Sequence, residues 1–159
     1  MNYIGISENR LHHILGVARK AYSLAKNMGY DEDFARRMFM LGWIHDVGYE
    51  FSTKPTEHPD VSAKMYLELF DDIIANDAKN TTYQTIKNHG RYTDNETIEW
   101  KILNMADIQI DFDGKEVDVM TRLENIKDRY GEHSDEYLTA CDICFLIGLT
   151  PINIAGNIT

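Results

Sequence analysis

The sequence predicts an all-α protein, a single domain of about six or seven helices spanning residues 1–159. Three observations carry that reading. Apolar residues recur at three- and four-residue spacing along most of the chain instead of alternating. Ser, Thr or Asp precedes these runs, and Gly or Pro follows them. No Asn-Gly or Asp-Gly pair joins two alternating runs, because Asp113-Gly114 falls between two helical patterns.

The first helix is expected to start at Ser7, a good N-cap, with Glu8 in the first turn. It carries Leu11, Ile14, Leu15, Ala18, Tyr22 and Ala25 and closes at Gly29. Asp31-Glu32-Asp33 opens a second, with Phe34, Met38, Leu41 and Ile44 inward. A polar loop runs from Glu50 to Glu57. Pro59 suits the first turn of a third helix whose inward residues would be Val61, Met65 and Leu69. Asp71 to Asn80 reads as a helix end and loop. Thr81 or Thr82 would cap a fourth helix with Tyr83 and Ile86, ended by Gly90. Asp94 or Asn95 would cap a fifth with Ile98, Ile102, Met105 and Ile110, ending near Gly114. The sixth carries Val117, Met120, Leu123 and Ile126 and stops at Gly131. Ser134 caps a seventh with Leu138, Cys141, Phe145 and Leu149, closed by Pro151.

A formal charge of −10 argues against a nucleic-acid groove or an anionic membrane surface. It leaves small anionic substrates open, since a bound metal reverses the local field. Met1 to Arg10 has no apolar leader, and no run spans a bilayer. With only Cys141 and Cys144, a reduced cytoplasmic setting is expected. The two cysteines read as core packing, there being no second pair to complete a zinc site.

The chemistry gathers around His45-Asp46, at the end of the apolar run Met38 to Ile44. Adjacent residues within a helix point about 100° apart. At a helix end, with Gly48 free to leave helical geometry, the two side chains can converge on a borderline divalent metal. On a wheel of about 100° per residue with Leu11 at zero, the apolar arc of the first helix runs from about 220° to about 40°. His13, at about 200°, lies on the edge of that arc and faces inward; His12, at about 100°, faces outward. Alone, His13 reads as a satisfied core histidine. Asp107 has Trp100, Leu103 and Ile110 as its helical neighbours, so its carboxylate needs a base, a cation or a metal. His58, before Pro59, is pushed from helical geometry, and His89 precedes Gly90 at a helix end. His133 reads as a surface residue.

Five blocks in this order resemble the HD-domain metal-dependent phosphohydrolases: Arg10-Leu11-His12-His13 on to Ala18, Gly42-Trp43-Ile44-His45-Asp46-Val47-Gly48, His58 to Ala63, Ile86-Lys87-Asn88-His89-Gly90, and Leu103 to Asp107. Within that superfamily the chain looks most like the small bacterial branch that includes the symmetrical diadenosine tetraphosphate hydrolases. The resemblance implies one metal held by His13, His45, Asp46 and Asp107. Asp46 would bridge to a second metal bound by His58 and His89, and Asp46, His58 and His89 would serve catalysis. A metal-activated hydroxide would then cleave a phosphoester of a nucleotide or another small phosphorylated molecule. Imidazole and carboxylate ligands favour iron or manganese, with cobalt, zinc or nickel as alternatives, over magnesium. Many relatives carry a lysine at the position of Tyr49, so phosphate contacts are expected instead from Arg10, Lys54 or Arg91. Some carry paired histidines where this chain has His89-Gly90, which leaves one or two ions open. Two other functions remain: a dinucleoside polyphosphate hydrolase, and a non-catalytic nucleotide or metal sensor. The expected partner is a small phosphorylated molecule, not nucleic acid or a membrane, with a homodimer left open.

Overall fold

The computed structural model describes residues 5–70 and 76–149. Among them are seven α-helices: α1 (Glu8–Asn27), α2 (Glu32–Ile44), α3 (His58–Phe70), α4 (Asn76–Asn88), α5 (Ile98–Asp107), α6 (Val119–Tyr130) and α7 (Asp135–Leu146). The described residues contain no strand, only one isolated antiparallel bridge between Ile110 and Glu116. The all-α expectation is met. No helix of the described residues is long and apolar enough to cross a membrane.

Several helices start as the side chains dictate. Ser7, Asp31, Thr97, Asp118 and Ser134 each accept a hydrogen bond from the backbone N–H three residues on. Gly29, at φ +88°, and Gly131, at φ +100°, take conformations that side chains resist just past α1 and α6.

The main core joins α1 through Ile14, Val17 and Ala21 to α2 through Ala35, Met38 and Leu41. Ala63 and Tyr66 of α3, Ile86 of α4, and Ile102, Leu103 and Ala106 of α5 complete it. A second, smaller cluster of Ile108, Val119, Leu123, Ile126 and Cys144 holds α6 and α7 together. Helices α1 and α2 cross at Gly42, where an added Cβ would lie 2.5 Å from the Ala18 Cα. That crossing sets His13 on one helix beside His45 on the end of the other, with ring centroids 5.6 Å apart.

The structure departs from the sequence pattern in particular places. In α3 the buried residues are Pro59, Ser62, Ala63 and Tyr66; Met65 packs part-buried against the core as expected, but Val61 is only half-buried and Leu69 is 64% exposed. The inward row takes the small residues Ser62 and Ala63 where α3 presses on the turn after α2. Gly48 N–H donates to Ser62 Oγ at 2.9 Å, and a Cβ on Gly48 would meet Ser62 N at 2.5 Å. Gly48 thus serves for its lack of side chain; its φ of −83° and ψ of −3° are ordinary right-handed values. His58 is helical (φ −59°, ψ −32°) despite Pro59, because it continues a 3-10 turn, Pro55–Glu57, directly into α3.

Helix α4 begins at Asn76, ahead of the Thr81 or Thr82 cap expected, and residues 71–75 lie outside those described. Helix α5 is capped by Thr97, not Asp94 or Asn95, and ends at Asp107 instead of running to Gly114. Beyond it Asp111 Oδ1 accepts from the N–H groups of Asp113 and Lys115, and Gly114 turns the chain at φ +85°. Asp113-Gly114 is therefore a turn that closes the Ile110–Glu116 bridge. In α6 the buried face holds Val119 and Arg122, while Met120 is exposed. In α7 it holds Ile143 and Cys144; Leu138 is exposed and Phe145 is 70% exposed. That helix is apolar on several faces, so spacing alone does not choose the inward one. Pro151 lies outside the described residues.

Replacing Gly42 by valine forces side-chain atoms into the Ala18 backbone. Overpacking of this kind costs about 1–3 kcal/mol, or about 2–12 °C in melting temperature for a chain of this size. A thermal melt of G42V at the wild-type temperature would contradict the crossing.

Candidate metal centre

Five helices each contribute to one cluster. His13 lies within α1, His45 caps α2, Asp46 sits in the turn beyond, His58 opens α3, His89 follows α4, and Asp107 ends α5. His13, His45 and His89 are almost wholly buried; His58 is part-exposed.

All four imidazoles are oriented in the same way. The Nδ1–H of His45 donates to Gly42 O at 2.6 Å and that of His89 to Ile86 O at 2.5 Å. His58 Nδ1–H donates to Pro55 O. Each of these carbonyls lies three residues back, at the end of a helix or turn where the regular ladder stops. His13, in mid-helix, reaches across the molecule to Asp111 O at 2.8 Å. A carbonyl only accepts, so Nδ1 must carry a proton, and Nε2 is the nitrogen turned inward.

Asp46 divides the cluster between its two oxygens. Oδ2 lies 3.6 Å from His13 Nε2 and 3.7 Å from His45 Nε2. Oδ1 lies 3.0 Å from His58 Nε2 and 3.2 Å from His89 Nε2. Asp107 Oδ1 sits on the first side, 2.9 Å from His13 Nε2 and 3.6 Å from His45 Nε2. On the other side the His58 and His89 Nε2 atoms are 3.0 Å apart.

Where the rings are neutral with the proton on Nδ1, these neighbours are acceptors facing acceptors. With neutral rings, imidazole lone pairs and carboxylate oxygens at such distances repel unless cations lie among them. His45 Nε2 is buried with no hydrogen-bond partner at all. Two ligand groups follow, His13 with His45 and Asp107, and His45 with Asp46 and His89, each with ligand atoms within 4.8 Å of one another. Neither includes a thiolate. The donor set fits a divalent transition metal.

Burial alone would raise both carboxyls. For Asp46 it is outweighed, where the rings carry a second proton, by the positive charges of His45 and His58 and by Nε2–H hydrogen bonds from His58 and His89, which hold the group well below the usual range. For Asp107 a hydrogen bond from His13 and the charge of His45, 3.6 Å away, act in the same direction. Asp107 is 26% exposed at its side chain, so it is less enclosed than its apolar helical neighbours suggest.

The cluster forms the floor of a cleft of about 300 Å³, walled on the far side by α6 and α7. The three cations expected at a phosphate lie differently from one another. Arg10 is in the cleft, but its Nη1 bonds Asp46 Oδ2 at 2.5 Å and its guanidinium stacks 3.7 Å over the Tyr49 ring. Tyr49 thus presents a cation indirectly, and its hydroxyl pairs with that of Tyr130 at 2.8 Å. Arg91 lines the cleft with its donors engaged by both oxygens of Asp60 and by the carbonyls of Thr56 and Lys87. Lys54 is exposed and not part of the wall.

Gly90, in place of a second histidine, gives its N–H to Asn104 Oδ1 at 2.8 Å. His12 and His133 are on the surface, as expected. Cys141 and Cys144 are free thiols; Cys144 is buried in the second core cluster, and burial pushes its thiol up to about 12.

One residue escaped the sequence reading. Arg122 is buried and lines the cleft. The stripe Val117, Met120, Leu123, Ile126 leaves it off the inward face; the true stripe, Val119, Leu123, Ile126, includes it. An arginine three residues from Val119 and four from Ile126 was the available signal.

A family model described as HD domain matches residues 10–110, an interval that contains the whole cluster. No curated protein and no solved structure matches the chain significantly.

His13→Ala should strip most of the metal from purified protein, whereas His12→Ala should keep it. Elemental analysis of both variants checks this, and equal loss from both would contradict the inward placement of His13.

Proposed function

The chain belongs to the HD domain family, and from that premise we propose that it is a metal-dependent phosphohydrolase cleaving a phosphoester of a nucleotide or another small phosphorylated molecule. HD domains are in general metal-dependent hydrolases. The observation that carries the reading is the division of Asp46, with Oδ2 toward His13 and His45 and Oδ1 toward His58 and His89. A carboxylate that offers one oxygen to each of two nitrogen-lined sites is arranged to join two ions.

In this reading His13, His45, Asp46 and Asp107 would hold one metal, and Asp46, His58 and His89 would hold the other. Iron or manganese suits such imidazole and carboxylate ligands. Divalent ions there would supply a nucleophile at neutral pH and neutralise charge on the phosphoryl oxygens. The chain's own residues do the rest. The four backbone carbonyls keep each Nε2 aimed at the floor of the cleft. Asp46 and Asp107, held ionised, offset the positive charge. Ile108, Phe112, Ile126 and Ile143 give the opposite wall an apolar surface for the organic part of the substrate and limit water.

The test is a panel of phosphomonoesters, nucleotides and dinucleoside polyphosphates offered to iron- or manganese-loaded protein. Hydrolysis of monoesters supports the proposal. Turnover confined to dinucleoside polyphosphates would move the activity to anhydride cleavage, and binding without any turnover would leave a sensor. The two-ion form makes a separate prediction. Wild type should bind two ions per chain, and His58→Ala and His89→Ala should each keep about one. Their loss of activity should exceed the roughly 10–100-fold that removing an outer partner of a metal ligand costs. A titration that stops at one ion in wild type would contradict it.

A further inference from the structure

Among the described arginines that line the cleft, Arg122 differs in having no carboxylate hydrogen-bonded to it. Arg10 bonds Asp46, and Arg91 bonds Asp60. Arg122 is only 6% exposed, yet its Nε and Nη1 have no hydrogen-bond partner. What holds it is the Phe112 ring, whose centroid lies 4.2 Å from its Cζ. A cation–π contact fixes the guanidinium while leaving its N–H donors unused. The same ring carries Arg129 at 4.1 Å, so the fold brings two cations onto one aromatic side chain. Burial disfavours the charged guanidinium, and the fields of Asp107 and Asp46, followed by that of Tyr130, partly offset that. Those two carboxylates are the ones the metal centre would neutralise. Arg122 is then a buried cation whose Nε and Nη1 no carboxylate of the cleft engages, although Asp135 and Glu136 also line it.

We propose that Arg122 is the residue that binds the anionic phosphate of the substrate, a specificity residue opposite the metal floor. The identity of its ligand as a phosphoester rests on the phosphohydrolase reading above. Arginine suits the task because its donors are planar and always charged, and hydrogen bonds from it to phosphate oxygens are charge-assisted. The roles expected of Lys54 and Arg91 pass to it. Lys54 is outside the cleft, and Arg91 already has Asp60 and two carbonyls.

The experiment uses the full chain, metal-loaded, in three forms: wild type, Arg122→Met and Arg122→Lys. Binding of inorganic phosphate is measured by calorimetry, with metal content and melting temperature recorded and phosphomonoester hydrolysis assayed in parallel. Arg122→Met should weaken phosphate binding about tenfold to 100-fold with metal content unchanged. Arg122→Lys should recover part of the loss. In phosphate-free buffer Arg122→Met should melt above wild type, because an unpaired buried charge is removed; a purely structural arginine would do the reverse. Phosphate affinity within twofold of wild type in both variants would overturn the proposal while leaving the hydrolase reading intact. Loss of phosphate binding in Arg122→Met from a wild type that hydrolyses nothing would support the anion site and sink the hydrolase reading. A metal-loaded wild type that neither binds phosphate nor turns over would sink both.

Discussion

Four hydrogen bonds from imidazole Nδ1–H groups to backbone carbonyls are the constraint on which the rest of this site depends. Without them each ring is free to turn either nitrogen inward, and the cluster has no defined set of acceptors. Three of the bonds are local, made to the carbonyl three residues back. They need only a helix or turn that ends at a histidine. The fourth is not local. His13 is satisfied by Asp111, whose loop is set by its own carboxylate and by Gly114 pressed on the His12 carbonyl. The metal floor is therefore complete only when the connection between α5 and α6 has docked on α1.

This arrangement works against stability. Lone pairs and carboxylate oxygens facing one another at 2.9–3.7 Å are tolerated because the surrounding core holds them there. A bound cation relieves the repulsion, so binding to the native state should stabilise it with the logarithm of ligand excess. The same tension between function and stability recurs at Arg122, where burial without a partner is kept on the cleft wall.

Much of this was legible in the chain. The Ser7, Asp31 and Ser134 caps and the Gly29 and Gly131 stops follow from side-chain chemistry that acts within a few residues. The opposite fates of His12 and His13 follow from helical phase, because α1 has a clean apolar arc. The phases of α3 and α7 were not legible, for different reasons. Helix α3 packs through Ser62 and Ala63, which carry little apolar signal, as well as through Tyr66, and α7 offers apolar residues on several faces. The missed arginine has the same root: a stripe displaced along α6 moved Arg122 to the polar side. The stacking of Arg10 on Tyr49 depends on a contact across 39 residues, which spacing does not reveal.

The orientation of the imidazoles can be read directly by long-range proton–nitrogen correlation spectra of zinc-loaded protein with labelled histidines. His13, His45, His58 and His89 should all appear with the proton on Nδ1 and a metal-shifted Nε2, while His12 and His133 average between forms. A proton on Nε2 of His13 or His45 in the zinc-loaded protein would contradict the account at its base.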